Sequence, residues 1–272
     1  MKIQSYTTQL AGSHLRGVKN TIAIASGKGG VGKSTVTVNL AVALAKTGAR
    51  VGVLDADIYG PSIPMMLGDN GTVKTEGEHY LPVEAHGIYA MSIGYLTHGE
   101  PALIWRGPML AKSLLQMMNL TRWDNLDYLL IDLPPGTGDI QLSLVQKIPL
   151  TAAIVVTTPQ SVATLDAQKA LQMFERTGIH VLGIVENMST HTCSACGHQE
   201  AIFGTDGAMQ LSKTFQAPLL GKLPLNSKIA QLCDQGMPVI HHDELLAKPF
   251  IQLADNVVAE LVKRPLLACA EK

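Results

Sequence analysis

Short runs of β-branched and other apolar residues alternate along the chain with longer segments in which apolar residues recur at helical spacing. The short runs are almost continuously apolar, which is typical of strands that are buried on both faces of a sheet. They predict seven strands, at Thr21 to Ala25, Val51 to Leu54, Ile88 to Met91, Tyr128 to Ile131, Ala153 to Thr157, Val181 to Val185 and Leu219 to Leu223.

The longer segments predict the helices that cover this sheet. They are Lys33 to Lys46, Met109 to Leu120, Ser161 to Arg176, Asp206 to Phe215, Ser227 to Gln235 and Pro249 to Lys263. This alternation predicts an α/β fold, with a mostly parallel sheet covered by helices on both faces. We expect one domain over residues 21–272, with a flexible arm at 1–20, a surface excursion at 69–82 and an insertion at about 191–204.

Composition and charge exclude several classes of protein. With 46% hydrophobic and 16% charged residues, the chain differs clearly from disordered proteins. Lys and Arg number 21 and Asp and Glu 22, so no overall positive field attracts nucleic acid or an anionic membrane. No signal segment and no run of roughly 18 apolar residues is present. We therefore expect a cytoplasmic protein with neither nucleic acid nor membrane as a partner.

The segment after the first predicted strand fits the GxxxxGK[ST] pattern of a phosphate-binding loop. Glycines allow backbone N–H groups to converge on an oxyanion, and the following helix directs its positive end there. In this pattern Lys33 neutralises the β and γ phosphates and Ser34 binds Mg²⁺. The predicted nucleotide site consists of Gly27, Lys28, Gly29, Gly30, Val31, Gly32, Lys33, Ser34 and Thr35.

Acidic residues follow two other predicted strands, at the edge where α/β sheets bind ligands. Asp132 ends the apolar run LLID, which is the position of a Walker B carboxylate that binds the Mg²⁺ shell. We expect Asp55 to share that task and Asp57 to orient or deprotonate the attacking water.

The choice of base rests on Asn187, which follows the strand VLGIV. A guanine-reading loop has an Asp two residues beyond the Asn, and here that position is Ser189. An amide with one acceptor and two donors suits adenine. We therefore predict that the nucleotide is ATP.

Cys193 and Cys196 form a CxxC pair, for which the residues alone allow two interpretations. One pair is half of a Cys₄ site, and a symmetric dimer would complete that site at its axis and bind an iron–sulfur cluster. In the other interpretation, His191 and His198 complete a zinc site within one chain. Thiolates bind both metals, so the spacing leaves both open. A dithiol redox role lacks a thioredoxin-like context.

Several motifs resemble known families. GKGGVGKST, with its additional Lys28, resembles the deviant Walker A motif of the MinD, ParA and nitrogenase iron protein superclass. From about Lys19 to beyond Pro238, the chain resembles the Mrp/ApbC family of iron–sulfur cluster carrier ATPases. That resemblance is carried by GKGGVGKST, DADIYGPSIPMMLG, the turn at Trp105, DYLLIDLPPGTGD, TTPQSVATLDA, ENMS with the following CxxCG, and LGKLPL.

The superclass resemblance implies a homodimer that closes around two nucleotides, with Lys28 reaching the nucleotide of the partner subunit. It also implies switch segments at 57–62 and 134–139, with Gly136 near the γ-phosphate. The family resemblance implies that Cys193 and Cys196 bind a bridging 4Fe–4S cluster, which is delivered to apo iron–sulfur proteins under the control of ATP. Many bacterial relatives carry a small additional domain before the first strand, where this chain has about twenty residues.

Two other functions within the superclass need different sequence features. A MinD- or ParA-like positioning switch needs a cationic amphipathic tail or a basic face, whereas the last predicted helix has two basic residues at its end and two acidic ones within it. The nitrogenase iron protein has its cluster cysteines on different loops rather than in a CxxC. The main hypothesis is therefore an iron–sulfur cluster carrier, and the alternative is an ATP-switched binding protein with a structural zinc. Cys233 and Cys269 stand alone and predict no site.

Overall fold

The computed structural model describes residues 3–10, 13–69, 72–97 and 107–267. Its strands are β1 Val18–Ala25, β2 Val51–Asp55, β3 Lys74–Glu76, β4 His79–Leu81, β5 Val83–Ala85, β6 Ile88–Ser92, β7 Leu126–Asp132, β8 Ala152–Thr157, β9 Val181–Glu186, β10 His191–Thr192, β11 Gln199–Glu200 and β12 Leu219–Lys222. Its helices are α1 Lys33–Lys46, α2 Ile63–Met66, α3 Ile93–Thr97, α4 Gly107–Leu120, α5 Asp139–Lys147, α6 Ser161–Arg176, α7 Gly207–Phe215, α8 Ser227–Asp234, α9 Val239–His242 and α10 Glu244–Leu261.

Eight strands form one twisted sheet in the order β12-β9-β8-β1-β7-β2-β6-β5. Its pairings are parallel except that of β5 with β6. Ile22 and Ile24 of β1 belong to a core layer with α1 and α10, whereas Ala23 and Ala25 belong to a second layer with α4 and α6. The sheet is therefore buried on both faces, and the predicted α/β class is confirmed.

The register of the sheet places the acidic residues at one edge. Asp132 at the end of β7 is the Cα partner of Asp55 at the end of β2 and of Ile24 in β1. Because these strands are parallel, their carboxyl ends and the loop after β1 meet at the same edge. This edge carries the candidate site.

The structure also corrects several predicted boundaries. α10 begins at Glu244 rather than at Pro249, because the Asp243 side chain accepts hydrogen bonds from the N–H groups of Leu245 and Leu246 and caps the helix. α5 and the antiparallel strand β5 are not predicted from the sequence. The predicted surface excursion contains the β3–β4 hairpin. Trp105 and Cys269 lie outside the described residues, and no helix in the described part is long and apolar enough to cross a membrane.

The segment before β1 differs from the predicted flexible arm. Tyr6 is buried, and its N–H donates to the side-chain oxygen of Asn20 at 3.1 Å. Residues 5–7 lie beside 265–267, where Tyr6 and Leu266 form an antiparallel bridge. Gln9 exchanges hydrogen bonds with the backbone at the end of α5, at 2.6 and 2.7 Å. Residues 3–10 are therefore attached to the domain.

We expect Asn20→Ala to detach this segment and to lower the free energy of unfolding. Asn20 is fully buried, and besides accepting from Tyr6 its amide donates to the carbonyls of Gln4 and Asp127 at 2.8 and 3.2 Å. Leaving such groups unpaired costs about 1–3 kcal/mol. Urea unfolding measures the change, with Asn119→Ala on the exposed face of α4 as a control expected within about 0.5 kcal/mol of wild type. Equal losses in the two variants would contradict the assignment.

Candidate functional site

The predicted phosphate loop connects β1 to α1 as expected. Gly32 caps α1 with φ 80°, a left-handed conformation that glycine adopts at little cost. A Cβ on Gly27 would lie 2.0 Å from the carbonyl carbon of Asp166 in α6, so the loop is packed closely there. At Gly29 and Gly30 the space is open. The loop therefore rests on α6 with its central glycines accessible to a ligand.

The Asp132 carboxylate is fully buried directly beside the loop. Its Oδ2 lies 2.7 Å from Lys33 Nζ and accepts from Ser34 Oγ at 2.5 Å. Its Oδ1 accepts from Thr37 Oγ1 at 2.6 Å. The predicted lysine, magnesium ligand and Walker B carboxylate thus lie in contact. Thr37 was not predicted, although its position one helical turn after Lys33 was a usable signal.

Asp55 is also fully buried, and it approaches Asp132 from the next strand. Burial, helped by the charge of Asp132, raises the pKa of Asp55 to about 7, although the Lys33 charge opposes this shift. Ser92 Oγ, at the end of β6, donates to Asp55 Oδ2 at 2.9 Å and was not predicted. Burial likewise raises the pKa of the half-buried Asp57, again with Lys33 in opposition. Such groups prefer a proton or a cation beside them.

These side chains suit a magnesium ion. The Ser34 hydroxyl and the Asp132 and Asp55 carboxylates are hard oxygen donors, which Mg²⁺ prefers. Ser34 Oγ and Asp132 Oδ2 already lie 2.5 Å apart, so both are available at one point. The residues present therefore fit the ion that the sequence analysis predicts.

Two loops close the same cleft from the sides. Lys28, Asp57, Ser62 and Pro135 line it together with residues 29–35. The N–H of Gly136 donates to the carbonyl of Ser26 at 2.9 Å, which places this glycine against the phosphate loop. Both predicted switch segments therefore border the cleft.

Asn187 lies against the phosphate loop rather than apart from it. Its side chain is buried, and its Nδ2 donates to the carbonyl of Val31 at 2.9 Å. In this structure the amide therefore supports the loop. Its role in reading adenine stays a prediction.

Cys193 and Cys196 lie at the tip of a small hairpin formed by β10 and β11. The N–H of Cys193 donates to the carbonyl of His198, and the N–H of Gly197 donates to the carbonyl of Cys193, both at 2.9 Å. Hydrogen bonds from the backbone N–H groups of Cys196 and Ala195 lower the pKa of the Cys193 thiol, which favours the thiolate. Cys196 is exposed, and neither cysteine forms a disulfide.

The hairpin does not assemble the zinc site of the second interpretation. His191 Nδ1 faces Glu200 Oε1 across the hairpin at 3.5 Å. Throughout the described segments, no group of three or more His, Cys, Asp or Glu side chains is placed to hold a metal ion. The hairpin of one chain therefore offers two thiols, which is half of a four-thiolate site.

Glu186, at the end of β9, is not among the predicted site residues. Its side chain is 1% exposed, and it accepts hydrogen bonds from Ser189 Oγ and from the N–H of Ala208. Lys222 Nζ lies 3.4 Å from it. The available signal was a charged residue that ends an otherwise apolar strand.

Comparison with known proteins gives a consistent result. The family model described as NUBPL iron-transfer P-loop NTPase matches residues 17–258. The "Iron-sulfur cluster carrier protein" of Haemophilus influenzae is 55% identical over 251 residues, which are 91% of this chain and 68% of that protein. The protein of the same name from Escherichia coli strain K12 is 53% identical over the same shares.

Solved structures agree. An Archaeoglobus fulgidus nucleotide-binding protein in complex with ADP is 39% identical, with a TM-score of 0.75 over 85% of this chain and 91% of that one. The cell division ATPase MinD of Pyrococcus furiosus has a TM-score of 0.66 at 23% identity, over 88% of this chain and 98% of that one, and shows the shared fold.

Fold and phosphate loop together define a P-loop NTPase of the MinD and ParA structural class. Within that class, the chain belongs to the family of NUBPL-type iron-transfer P-loop NTPases.

The raised pKa of Asp55 predicts a pH-dependent stability. The folded-state pKa is about 7, against 3.8 for the ordinary side chain, so between these values the folded protein keeps a proton that the unfolded chain has lost. Stability therefore falls as the pH rises through this window, by at most about 4 kcal/mol.

We expect urea unfolding without nucleotide or Mg²⁺ to show this fall from pH 5 to pH 8, and Asp55→Asn to reduce it. Asp255→Asn, at an exposed position of α10, is the control and should keep the wild-type slope. A slope unchanged by Asp55→Asn would contradict the assignment.

Proposed function

We propose that this chain is an ATP-hydrolysing iron–sulfur cluster carrier, which holds a bridging 4Fe–4S cluster in a homodimer and transfers it to apo-proteins. The observation that carries the proposal is an exposed hairpin with two thiols in the same domain as a phosphate-binding site. The names of the relatives support the same function. The alternative, an ATP-switched binding protein with a structural zinc, is less supported because, among the described residues, no further His, Cys, Asp or Glu side chain joins Cys193 and Cys196 in a group that could hold a metal ion.

The nucleotide half of the proposal follows from the contacts around Asp132. Lys33 lies 2.7 Å from that carboxylate, and ATP would draw the ammonium toward its β and γ phosphates. Ser34 would hold Mg²⁺, with Asp132 and Asp55 supporting its shell, and the ion would neutralise phosphate charge. Asp57 is half-buried at the cleft, and its raised pKa suits it to accept a proton from the attacking water.

The cluster half follows from the position of the cysteines. Two hairpins that meet at a twofold axis would present four thiolates to one cluster. Backbone N–H groups already stabilise the thiolate form of Cys193, which lowers the cost of binding iron. Because Cys196 is exposed, a bound cluster would be reachable by an acceptor protein. The cluster is therefore the cargo of this protein, and ATP is its substrate.

Metal analysis tests the cluster. Anaerobically reconstituted protein should contain about four irons and four acid-labile sulfides per dimer, together with the absorption of an iron–sulfur cluster. The Cys193→Ala, Cys196→Ala double variant should contain neither, whereas Cys233→Ala, at a buried site beside Asn39, should keep both. Stoichiometric zinc with no cluster after reconstitution would refute the carrier proposal.

Single-turnover and steady-state kinetics test Lys28. If this lysine acts at the nucleotide of the partner subunit, Lys28→Ala removes positive charge from the transition state and should lower kcat for ATP hydrolysis about 100-fold. The dissociation constant for ATP should change little, because Lys33 and the loop backbone remain. Lys147→Ala, at the end of α5, serves as the control. A kcat for Lys28→Ala that matches the control would rule out this role.

A further inference from the structure

One buried carboxylate holds both ends of the cysteine insertion. Glu186 Oε1 accepts from Ser189 Oγ at 2.9 Å, and Ser189 lies where the chain enters the hairpin. Glu186 Oε2 accepts from the N–H of Ala208 at 3.1 Å, and Ala208 lies in the first turn of α7, where the chain has left the hairpin. The two oxygens of one side chain therefore join the entry and the exit of the segment that carries the thiols.

The surroundings of Glu186 fix the position of its side chain and of its backbone. The side chain is 1% exposed, so its charge needs compensation, and the amino end of α7 and Lys222 Nζ at 3.4 Å provide it. Its own backbone is fixed too, since its carbonyl accepts from the N–H of Leu223 at 2.8 Å. A buried, fully bonded carboxylate cannot shift without losing these partners. A displacement of Glu186 would therefore also displace Ser189 and Ala208, where the chain enters and leaves the hairpin.

The next residue performs the corresponding task at the phosphate loop. Asn187 Nδ2 donates to the carbonyl of Val31 at 2.9 Å, and the N–H of Asn187 donates to the carbonyl of Thr157 at 2.8 Å. A Cβ on Gly32 would lie 2.3 Å from Asn187 Nδ2, which shows how closely the loop rests on this amide. A change in the loop at Val31 or Gly32 therefore acts on Asn187 directly.

We propose that Glu186 and Asn187 form a link through which nucleotide binding at the phosphate loop alters the cysteine hairpin. Asn187 contacts the loop, Glu186 holds the hairpin, and one peptide bond separates them. Glu186 is then a positioning residue of the cysteine site, because it acts on the thiols through the segment between Ser189 and Ala208, to which it is hydrogen-bonded. This inference rests on the proposed carrier function and gives it a physical route from ATP to the cluster site.

Thiol reactivity in the cluster-free, full-length protein tests the link. Alkylation of Cys193 and Cys196 by iodoacetamide is followed by peptide mass spectrometry, with and without Mg²⁺ and a non-hydrolysable ATP analogue. In wild type we expect the nucleotide to change the rate about fivefold or more, the lower range of typical coupling between sites. In Asn187→Ala and in Glu186→Ala the two rates should agree within about twofold. Glu186→Gln keeps an acceptor for the N–H of Ala208 and should restore the response.

Two control variants remove equivalent contacts elsewhere. Asn256→Ala deletes an Asn Nδ2 contact to the carbonyl of Leu220 at 2.8 Å, and Asp243→Ala deletes a carboxylate that accepts from two backbone N–H groups and pairs with Lys228. Both controls should keep the wild-type response. A thermal melt of each variant identifies any that do not fold, in which case Asn187→Ala and Glu186→Gln carry the test.

Three results would overturn the link. They are an absent response in wild type, a response that survives in Asn187→Ala and Glu186→Ala at saturating nucleotide, and an equal loss in the control variants. The second would mean that closure of a dimer, and not this dipeptide, shields the thiols. Each of these results is compatible with reconstituted protein that contains the iron and sulfide expected of a carrier. Failure of the link is therefore distinguishable from failure of the carrier function.

Discussion

The candidate nucleotide site depends on the burial of one carboxylate. Asp132 has no exposed surface, and a buried charge is costly unless it is paired and hydrogen-bonded. Lys33, Ser34 and Thr37 supply that compensation from the first turns of α1, so the helix is held against the end of β7. The same contacts fix the start of α1 and with it the conformation of the phosphate loop. Loop, helix and central strand are thus stabilised as one unit.

The order of the sheet explains which residues join this unit. β1 lies between β7 and β8, and β2 follows β7, so Asp55 meets Asp132 across neighbouring strands. β9 lies beyond β8, and it delivers Glu186 and Asn187 to the same edge, with Asn187 reaching the loop. The cysteine hairpin emerges directly after these residues. The nucleotide cleft and the base of the cysteine hairpin consequently lie at the same edge of the sheet, although about 160 residues of sequence separate the phosphate loop from the cysteines.

Local patterns in the sequence predict much of the fold and of the candidate site, and the residues that they miss are missed for physical reasons. Continuous apolar runs located the seven parallel strands, and the glycine-rich loop located the site, because both signals lie within a few neighbouring residues. Thr37, Ser92 and Glu186 were missed because each is defined by a partner on another element. The sequence predicts that the last helix begins at Pro249, whereas the carboxylate of Asp243 caps the helix and sets its start at Glu244. The prediction of a flexible arm is wrong at Tyr6, because this residue is buried and forms a bridge with Leu266, which is distant in the sequence.

The antiparallel contact between residues 5–7 and 265–267 has a topological consequence. Because the two ends of the described chain run side by side, a short linker would join them without disturbing the sheet. New termini could then be opened at an exposed turn, which is where circular permutation succeeds in other domains. Residues 5–7 lie near the amino end of β1, whereas the phosphate loop follows its carboxyl end. Such a permutant would keep the strand order of the sheet, and with it the positions of the nucleotide cleft and of the cysteine hairpin.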